Sequence, residues 1–276
     1  MATKAAISSK NKSSKVKHTV KAISTESVTK PQGKTISKVD VTSLVKSLVS
    51  EFIGTFLLVA AVFAVQGQPL YVAFALAGIV LILGGASGAY VNPALTIGAW
   101  VTQKIKSVYA IGYIIAQLLG AGAAYLTLNT LLHSTEAGTA SVLFHAATVT
   151  SGKEWAFFFA ELIGAIILGL GLAAAVRVKK ADLKSAFSYG FAVLIALLFA
   201  GWVTSTSLTE ANTALSFLNP AVALAANGLS FNLWPIAIYV IAPIIGGVIG
   251  FFVQDLLKSN SSDSCCDCSC GCCDVK

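Results

Sequence analysis

The sequence predicts an all-α membrane protein with six transmembrane helices and two re-entrant half-helices, arranged as two inverted three-helix repeats. Three observations lead to this fold class. Of the 276 residues, 56% are hydrophobic and 11% are charged, a composition typical of a polytopic helical membrane protein rather than a soluble domain. Six long apolar runs are separated by polar segments. The tripeptide Asn-Pro-Ala occurs twice, beginning at Asn92 and at Asn219.

Five of the six apolar runs are close to the roughly 20 residues that a helix needs to cross a bilayer, and the second is short for a span. The predicted spans are 48–65, 70–85, 108–132, 156–176, 186–203 and 233–253. The formal net charge is +7, and all Lys and Arg residues but one lie before the first span and after the second, fourth and sixth. With six spans these segments fall on one side and leave only Lys153 on the other. We therefore expect both termini to be cytoplasmic, and the basic excess to serve topology and anionic lipid, not nucleic acid.

Each Asn-Pro-Ala tripeptide predicts the start of a helix. Asn caps the free backbone N–H groups, and Pro suits the first helical position because its missing N–H costs nothing there. The apolar stretches after Pro93 and Pro220 are only about ten residues long or shorter, so at about 1.5 Å per residue neither crosses the hydrocarbon core. Half-helices at membrane depth are tolerated where they line a water-filled cavity. The pair therefore predicts a pore.

The chain repeats itself about these two tripeptides. Glu51 and Glu161 occur in the same Glu-x-x-Gly setting in the first and fourth spans, and Tyr113-Ile-Ile-Ala matches Tyr239-Val-Ile-Ala in the third and sixth. Each half holds three spans, an odd number, so the halves must lie in opposite orientations. We expect the two carboxyl groups to be buried and to hold the half-helices or their loops by hydrogen bonds. Small residues suited to close helix packing are Gly54, Gly120, Gly122, Gly164, Gly246 and Gly250.

Several of these motifs together resemble one family. Two Asn-Pro-Ala tripeptides, Ser-Gly-Ala-Tyr before the first, Glu-x-x-Gly-Thr in the first span and Ala-Gln-x-x-Gly in the third are similar to the aquaporin, or major intrinsic protein, family over about residues 45–256. The resemblance implies half-helices that meet end to end, a homotetramer with a pore in each subunit, and passive passage of water and small neutral solutes. It implies no catalysis and no cofactor. The pore residues it implies are Asn92, Pro93, Ala94, Asn219, Pro220 and Ala221.

The chain departs from the family at its narrow filter. Val222 stands where most members carry an Arg, and Tyr90 replaces the usual His before the first motif. The other filter positions match Leu197, Ser216 and either Phe74, if a two-residue gap is allowed, or Val72 without one. The result is a largely apolar constriction. We expect it to be wider or more apolar than that of a strict water channel and to pass glycerol, urea, ammonia or hydrogen peroxide; an apolar ring that dewets and closes is the alternative.

Two tails flank the predicted channel domain. We expect residues 1–44 to be a disordered basic tail, 45–256 to be the channel, with repeats at about 45–132 and 154–256, and 257–276 to be a second tail. All cysteines lie there, at Cys265, Cys266, Cys268, Cys270, Cys272 and Cys273. Their spacing matches no zinc module, and lipidation, soft-metal binding and an inert tail remain open.

Other classes of function have less support. A secondary transporter needs titratable groups at the membrane midplane, and the spans offer almost none beyond the two Glu residues. An enzyme is disfavoured because His18, His133 and His145 form no constellation with a nucleophile or a metal motif. A poorly conducting structural protein stays open because of Val222. Glu210, before the second motif, is best interpreted as a solvated loop charge.

Overall fold

The structure is a computed structural model that describes residues 40–133, 149, 151–176, 182–207, 216–226 and 232–257. Several sequence predictions fall outside these residues and concern the tails and two loops. They are the basic tail up to residue 39, His18, His145, Glu210 and the six cysteines.

The described ranges contain helices and turns and no strand. Their order is α1 Val41–Ala64, α2 Pro69–Ser87, α3 Pro93–Val101, α4 Ser107–His133, α5 Glu154–Ala175, α6 Leu183–Ser207, α7 Pro220–Ala225, α8 Leu233–Ile236 and α9 Ala242–Leu256. A π-helical turn, Ala237–Ile241, joins α8 to α9. Within the described ranges, six segments are long and apolar enough to cross a membrane: α1, α2, α4, α5, α6 and the continuous stretch Leu233–Leu256. The predicted spans are found at these places, and the fold class is confirmed.

Local capping chemistry explains where several helices begin. The Oδ1 atom of Asp40 accepts a hydrogen bond from the Thr42 N–H (3.0 Å) at the start of α1. At the start of α6, the Ser185 N–H donates to Asp182 Oδ1 (2.8 Å) and the Asp182 N–H donates to Ser185 Oγ (2.9 Å). The Ser185 N–H and the Ser185 hydroxyl both donate to the exposed Asp182 carboxyl and lower its pKa below the usual value. Reciprocal caps of this kind satisfy N–H groups that the helix itself leaves free.

The sixth span contains a π-helical turn for which Pro243 gives a physical reason. The Pro243 nitrogen carries no hydrogen, so the carbonyl one turn earlier loses its usual partner, and the ring crowds that turn. The chain widens just before it: the Ala242 N–H donates to the Ala237 carbonyl, five residues back instead of four. In the sequence repeat, Pro243 is equivalent to Gln117, since each directly follows the matched segment that begins at Tyr239 or Tyr113. That match did not predict the widening of the helix.

Glycines at equivalent places let the helices of each repeat approach closely. A Cβ atom on Gly120 of α4 would collide with the Phe52 carbonyl of α1, and one on Gly246 of α9 would collide with the Leu162 carbonyl of α5. Phe52 and Leu162 each follow the repeated Glu directly. Gly122 differs from the sequence expectation, because nothing in the described chain lies within 4 Å of the place its Cβ would take. The contacts of Gly120 and Gly246 are therefore equivalent, and the two repeats are packed in the same way at these places.

We predict opposite outcomes for two glycine substitutions on α4. Gly120→Ala should lower the free energy of unfolding by about 1–3 kcal/mol, because the added methyl group overpacks a backbone contact. Gly122→Ala should leave it unchanged or raise it slightly, since Ala favours a helix. Thermal unfolding of the two purified variants in detergent measures the difference. Equal midpoints for the two variants would show that the close α1–α4 contact is not required.

Candidate pore

Two half-helices, α3 and α7, begin at the repeated Asn-Pro-Ala. Asn92 Oδ1 accepts a hydrogen bond from the Ala94 N–H (2.9 Å), and Asn219 Oδ1 accepts one from the Ala221 N–H (3.0 Å). The helices have 9 and 6 residues, which correspond to about 14 Å and 9 Å, far short of the roughly 30 Å of a hydrocarbon core. Both asparagines are almost completely buried.

The two half-helices meet at their N-termini through reciprocal hydrogen bonds. The Nδ2 atom of Asn92 donates to the Leu218 carbonyl, and the Nδ2 atom of Asn219 donates to the Val91 carbonyl, each at 2.9 Å. Each acceptor is the residue just before the opposite asparagine. Since an amide nitrogen carries two hydrogens, each asparagine uses one to join the repeats and keeps a second. The sequence predicted the caps but not these crossed bonds.

Two buried carboxyl groups, Glu51 and Glu161, hold the loops before the half-helices; we call them the loop anchors. Glu51 Oε1 and Oε2 accept from the Tyr90 and Val91 N–H groups at 2.9 and 2.7 Å. Glu161 Oε1 and Oε2 accept from the Phe217 and Leu218 N–H groups, both at 2.7 Å. The exposed fractions of the two anchors are 0% and 1%. The structure thus places both carboxyl groups in contact with the loops, where the sequence analysis expected them.

The residue held by each anchor has an unusual backbone conformation. Val91 and Leu218 have φ angles of +44° and +55°, in the left-handed region that bulky residues avoid, at a cost of roughly 1–3 kcal/mol each. This conformation lets the N–H bind an anchor while the carbonyl accepts from the opposite asparagine. Glycines make room for the side chains: a Cβ on Gly54 would lie 2.6 Å from Val91 Cγ1, and one on Gly164 would lie 2.5 Å from Leu218 Cδ2.

The first anchor has an additional partner that the second lacks among the described residues. Gln117 Nε2 donates to Glu51 Oε2 (2.7 Å) and contacts Thr96 Oγ1 (2.9 Å), which itself donates to the Asn92 carbonyl (2.9 Å). The repeat places Pro243 opposite Gln117, and Pro has no side-chain donor. The first half-helix is therefore tied to α4 by side chains, whereas the second anchor relies on backbone donors in the described residues.

A cavity of about 40 Å³ lies where the half-helices meet. That volume is large enough to hold water. Its described lining includes both asparagines and three of the predicted filter residues, Leu197, Ser216 and Val222. The Ser216 hydroxyl is buried with no hydrogen-bond partner in the described part of the chain.

The fourth filter position depends on which of the two sequence alignments applies. Phe74 is 55% exposed and lies on the outer surface, in a groove against Phe187 and Phe191 of α6. Val72 is 3% exposed and lines the cavity. Two residues along a helix point in nearly opposite directions, so both cannot face the cavity. The geometry favours Val72, the match without a gap.

A second cavity of about 280 Å³ lies further along the same helices. Residues four apart share one face of a helix, and such stripes run from one cavity to the other on α2 and α6. The cavity-lining residues include Val72, Leu76, Val80 and Gly84 on α2 and Ser185, Tyr189, Val193 and Leu197 on α6. The two cavities therefore lie one after the other along a single path. The sequence analysis missed Tyr189, although its spacing from Leu197 on a helix gave the signal.

Comparison with known proteins identifies the family. The sequence model described as Major intrinsic protein matches residues 65–254, more than half of the chain. The chain belongs to the major intrinsic protein family. Because the proteins of this family are channels and not enzymes, the chain is a multi-pass membrane channel without catalytic activity.

Individual relatives agree with this assignment. Aquaporin AqpM of Methanothermobacter marburgensis is 30% identical, in an alignment that covers 79% of this chain and 99% of that protein. Glycerol uptake facilitator protein-like 6 of Lactiplantibacillus plantarum is 29% identical, in an alignment that covers 78% of this chain and 99% of that protein. Among solved structures, the aquaglyceroporin from Plasmodium falciparum shares the fold with a TM-score of 0.59, at 24% identity over 78% of this chain and 96% of that one.

The loop-anchor contacts predict the effect of removing one acceptor. Glu161→Gln leaves a single oxygen for two backbone donors, so one buried N–H loses its partner at a cost of about 1–3 kcal/mol. Glu154→Gln on the same helix changes a half-buried residue in the first turn and should cost a few tenths of a kcal/mol. Thermal unfolding in detergent should therefore show a clear decrease for the first variant alone. Similar midpoints for both would contradict the anchoring role of Glu161.

Proposed function

We propose that the chain is a passive channel for water and small neutral solutes such as glycerol, urea, ammonia and hydrogen peroxide. The observation that carries the proposal is the water-sized cavity at the meeting point of two half-helix N-termini, with a largely apolar described lining. Relatives named as aquaporins and as a glycerol uptake facilitator support this substrate class. Asn92 and Asn219, with Pro93, Ala94, Pro220 and Ala221, form the pore motifs in this proposal.

Cations are excluded at the asparagine pair. Each half-helix N-terminus carries a partial positive charge of roughly half an elementary charge, and both face one point in the membrane. The spare amide hydrogens of Asn92 and Asn219 donate to a passing oxygen, so that the permeating molecule turns its own hydrogens outward. A chain of water molecules is thereby interrupted, and protons do not hop along it.

The filter consists of Val72, Leu197, Ser216 and Val222. None of these side chains is charged, and the Ser216 hydroxyl is the hydrogen-bonding side chain among them. An apolar wall imposes little hydrogen-bonding demand on the permeant, so selection rests on size and on the cost of dehydration. Such a filter passes neutral solutes with apolar surface more readily than one with a guanidinium group, and it rejects ions because it offers them no replacement for water.

The orientation and assembly follow the same proposal. The end of the path with the larger cavity also holds Lys104, Lys106 and Lys184, which makes it the cytoplasmic end by the positive-inside tendency; both termini then lie in the cytoplasm. The channel domain at 45–256 assembles as a homotetramer with one pore in each subunit, and the tails stay outside the channel.

Stopped-flow light scattering on proteoliposomes of the full chain tests the proposed substrate class. We expect fast shrinkage after mixing with an impermeant osmolyte, and fast re-swelling after mixing with glycerol, both well above empty liposomes. Shrinkage without re-swelling would reject the solute part of the proposal and leave a water channel. Neither response above empty liposomes would favour a closed or structural protein.

A pair of aromatic substitutions on α2 tests the filter position. Val72→Trp fills the cavity of about 40 Å³ and should reduce glycerol flux at least tenfold. Phe74→Trp changes the outer surface only and should leave the flux at the wild-type value. Glycerol re-swelling of proteoliposomes that contain equal amounts of each protein provides the comparison. A larger loss with Phe74→Trp would assign the filter position to Phe74 and reject the geometry described above.

A further inference from the structure

A hydrogen bond between two tyrosines lies between the two cavities. The Tyr189 hydroxyl donates to the Tyr90 backbone carbonyl at 2.9 Å. Tyr189 lines the smaller cavity and Tyr90 lines the larger one, and in the described part of the chain the two cavities have no lining residue in common. The bond therefore lies where one cavity ends and the other begins.

Both tyrosines are held firmly in these positions. The Tyr90 N–H is bound by the first loop anchor, Glu51, and the Tyr90 ring packs on Tyr113 with the ring centres 5.7 Å apart. Tyr189 is 1% exposed and lies one helical turn from both Ser185 and Val193, on the face of α6 that lines the path. The place between the two cavities is thus formed by an anchored loop on one side and a packed helix on the other.

The Tyr90 carbonyl belongs to the loop that leads into Asn92, two residues before it. A carbonyl in this place can accept a hydrogen bond from a passing molecule, but here the Tyr189 hydroxyl occupies it. A carbonyl oxygen has two lone pairs and the hydroxyl takes one of them, so a molecule that passes between the two groups must break this bond. The exchange replaces one hydrogen bond by another, and the bond that is broken adds to the barrier for passage.

We propose that Tyr189 is a specificity-determining residue that forms a second constriction, separate from the filter at Val72, Leu197, Ser216 and Val222. This inference rests on the proposed channel function and deepens it. The constriction admits molecules one at a time and favours those that donate a hydrogen bond to the Tyr90 carbonyl in place of the tyrosine. Tyr189 lies about two helical turns along α6 from Leu197, so a permeating molecule meets two separate selective points.

Tyr189→Phe removes the hydroxyl and retains the ring, so the packing of α6 is preserved. Tyr71→Phe is the matched control, because Tyr71 is 61% exposed on the surface of α2. In osmotic shrinkage of proteoliposomes we expect Tyr189→Phe to raise the water permeability per subunit about two- to tenfold, the change in rate that one hydrogen bond of ordinary net strength produces. Tyr71→Phe should equal the wild type.

The temperature dependence supplies a readout that a merely structural effect would not give. If the hydroxyl must be displaced during passage, the Arrhenius plot of water permeability should be shallower for Tyr189→Phe than for the wild type and the control. A wild type that does not conduct, together with a conducting Tyr189→Phe, would also support the constriction. A conducting wild type with an unchanged or slower Tyr189→Phe would overturn it and leave the channel proposal intact. No conduction by either protein would overturn both.

Discussion

The structure depends on two buried carboxyl groups that accept backbone N–H donors from the pore loops. Without Glu51 and Glu161 the donors of Tyr90, Val91, Phe217 and Leu218 would be unpaired at membrane depth, where water is not generally present to replace an acceptor. The same bonds hold Val91 and Leu218 in a left-handed conformation that neither residue favours. That conformation turns their carbonyls toward the opposite asparagines. The hydrogen bonds to the two carboxyl groups therefore hold the loops in place, maintain the left-handed residues and position the junction between the repeats.

The repeat shows which parts of this arrangement are essential and which can vary. The anchor, the left-handed residue, the capping asparagine and the close glycine contact are present in both halves. The side chains that hydrogen-bond near the anchor differ. Gln117 binds both Glu51 and Thr96 in the first half, whereas Pro243 and Ala223 occupy the equivalent positions in the second half. Pro243 accompanies the π-helical turn in the sixth span. The geometry at the asparagines is nevertheless nearly identical, with φ angles of −152° and −150°.

Much of the fold could be predicted from the sequence because membrane insertion and helix capping are local effects. The apolar runs, the Asn-Pro starts and the internal repeat each leave a direct pattern, and the placement of Glu51 and Glu161 followed from the cost of a buried carboxyl group. Contacts between distant residues left no such pattern. The crossed asparagine bonds and the Tyr189–Tyr90 bond depend on how two segments meet in space, and the choice between Val72 and Phe74 depended on a two-residue gap that sequence matching alone could not decide.

The crossed bonds also constrain how the protein is made. The partners of Asn92 and Asn219 are separated by 126 and 128 residues, so they belong to segments synthesised at quite different times. Until the second half has entered the membrane, the Asn92 amide and the Val91 carbonyl lack the partners they have in the finished channel. The first half can insert its three spans and bind its own loop to Glu51, but the junction forms only when the second loop arrives. Completion of the pore therefore has to wait for the second half of the chain.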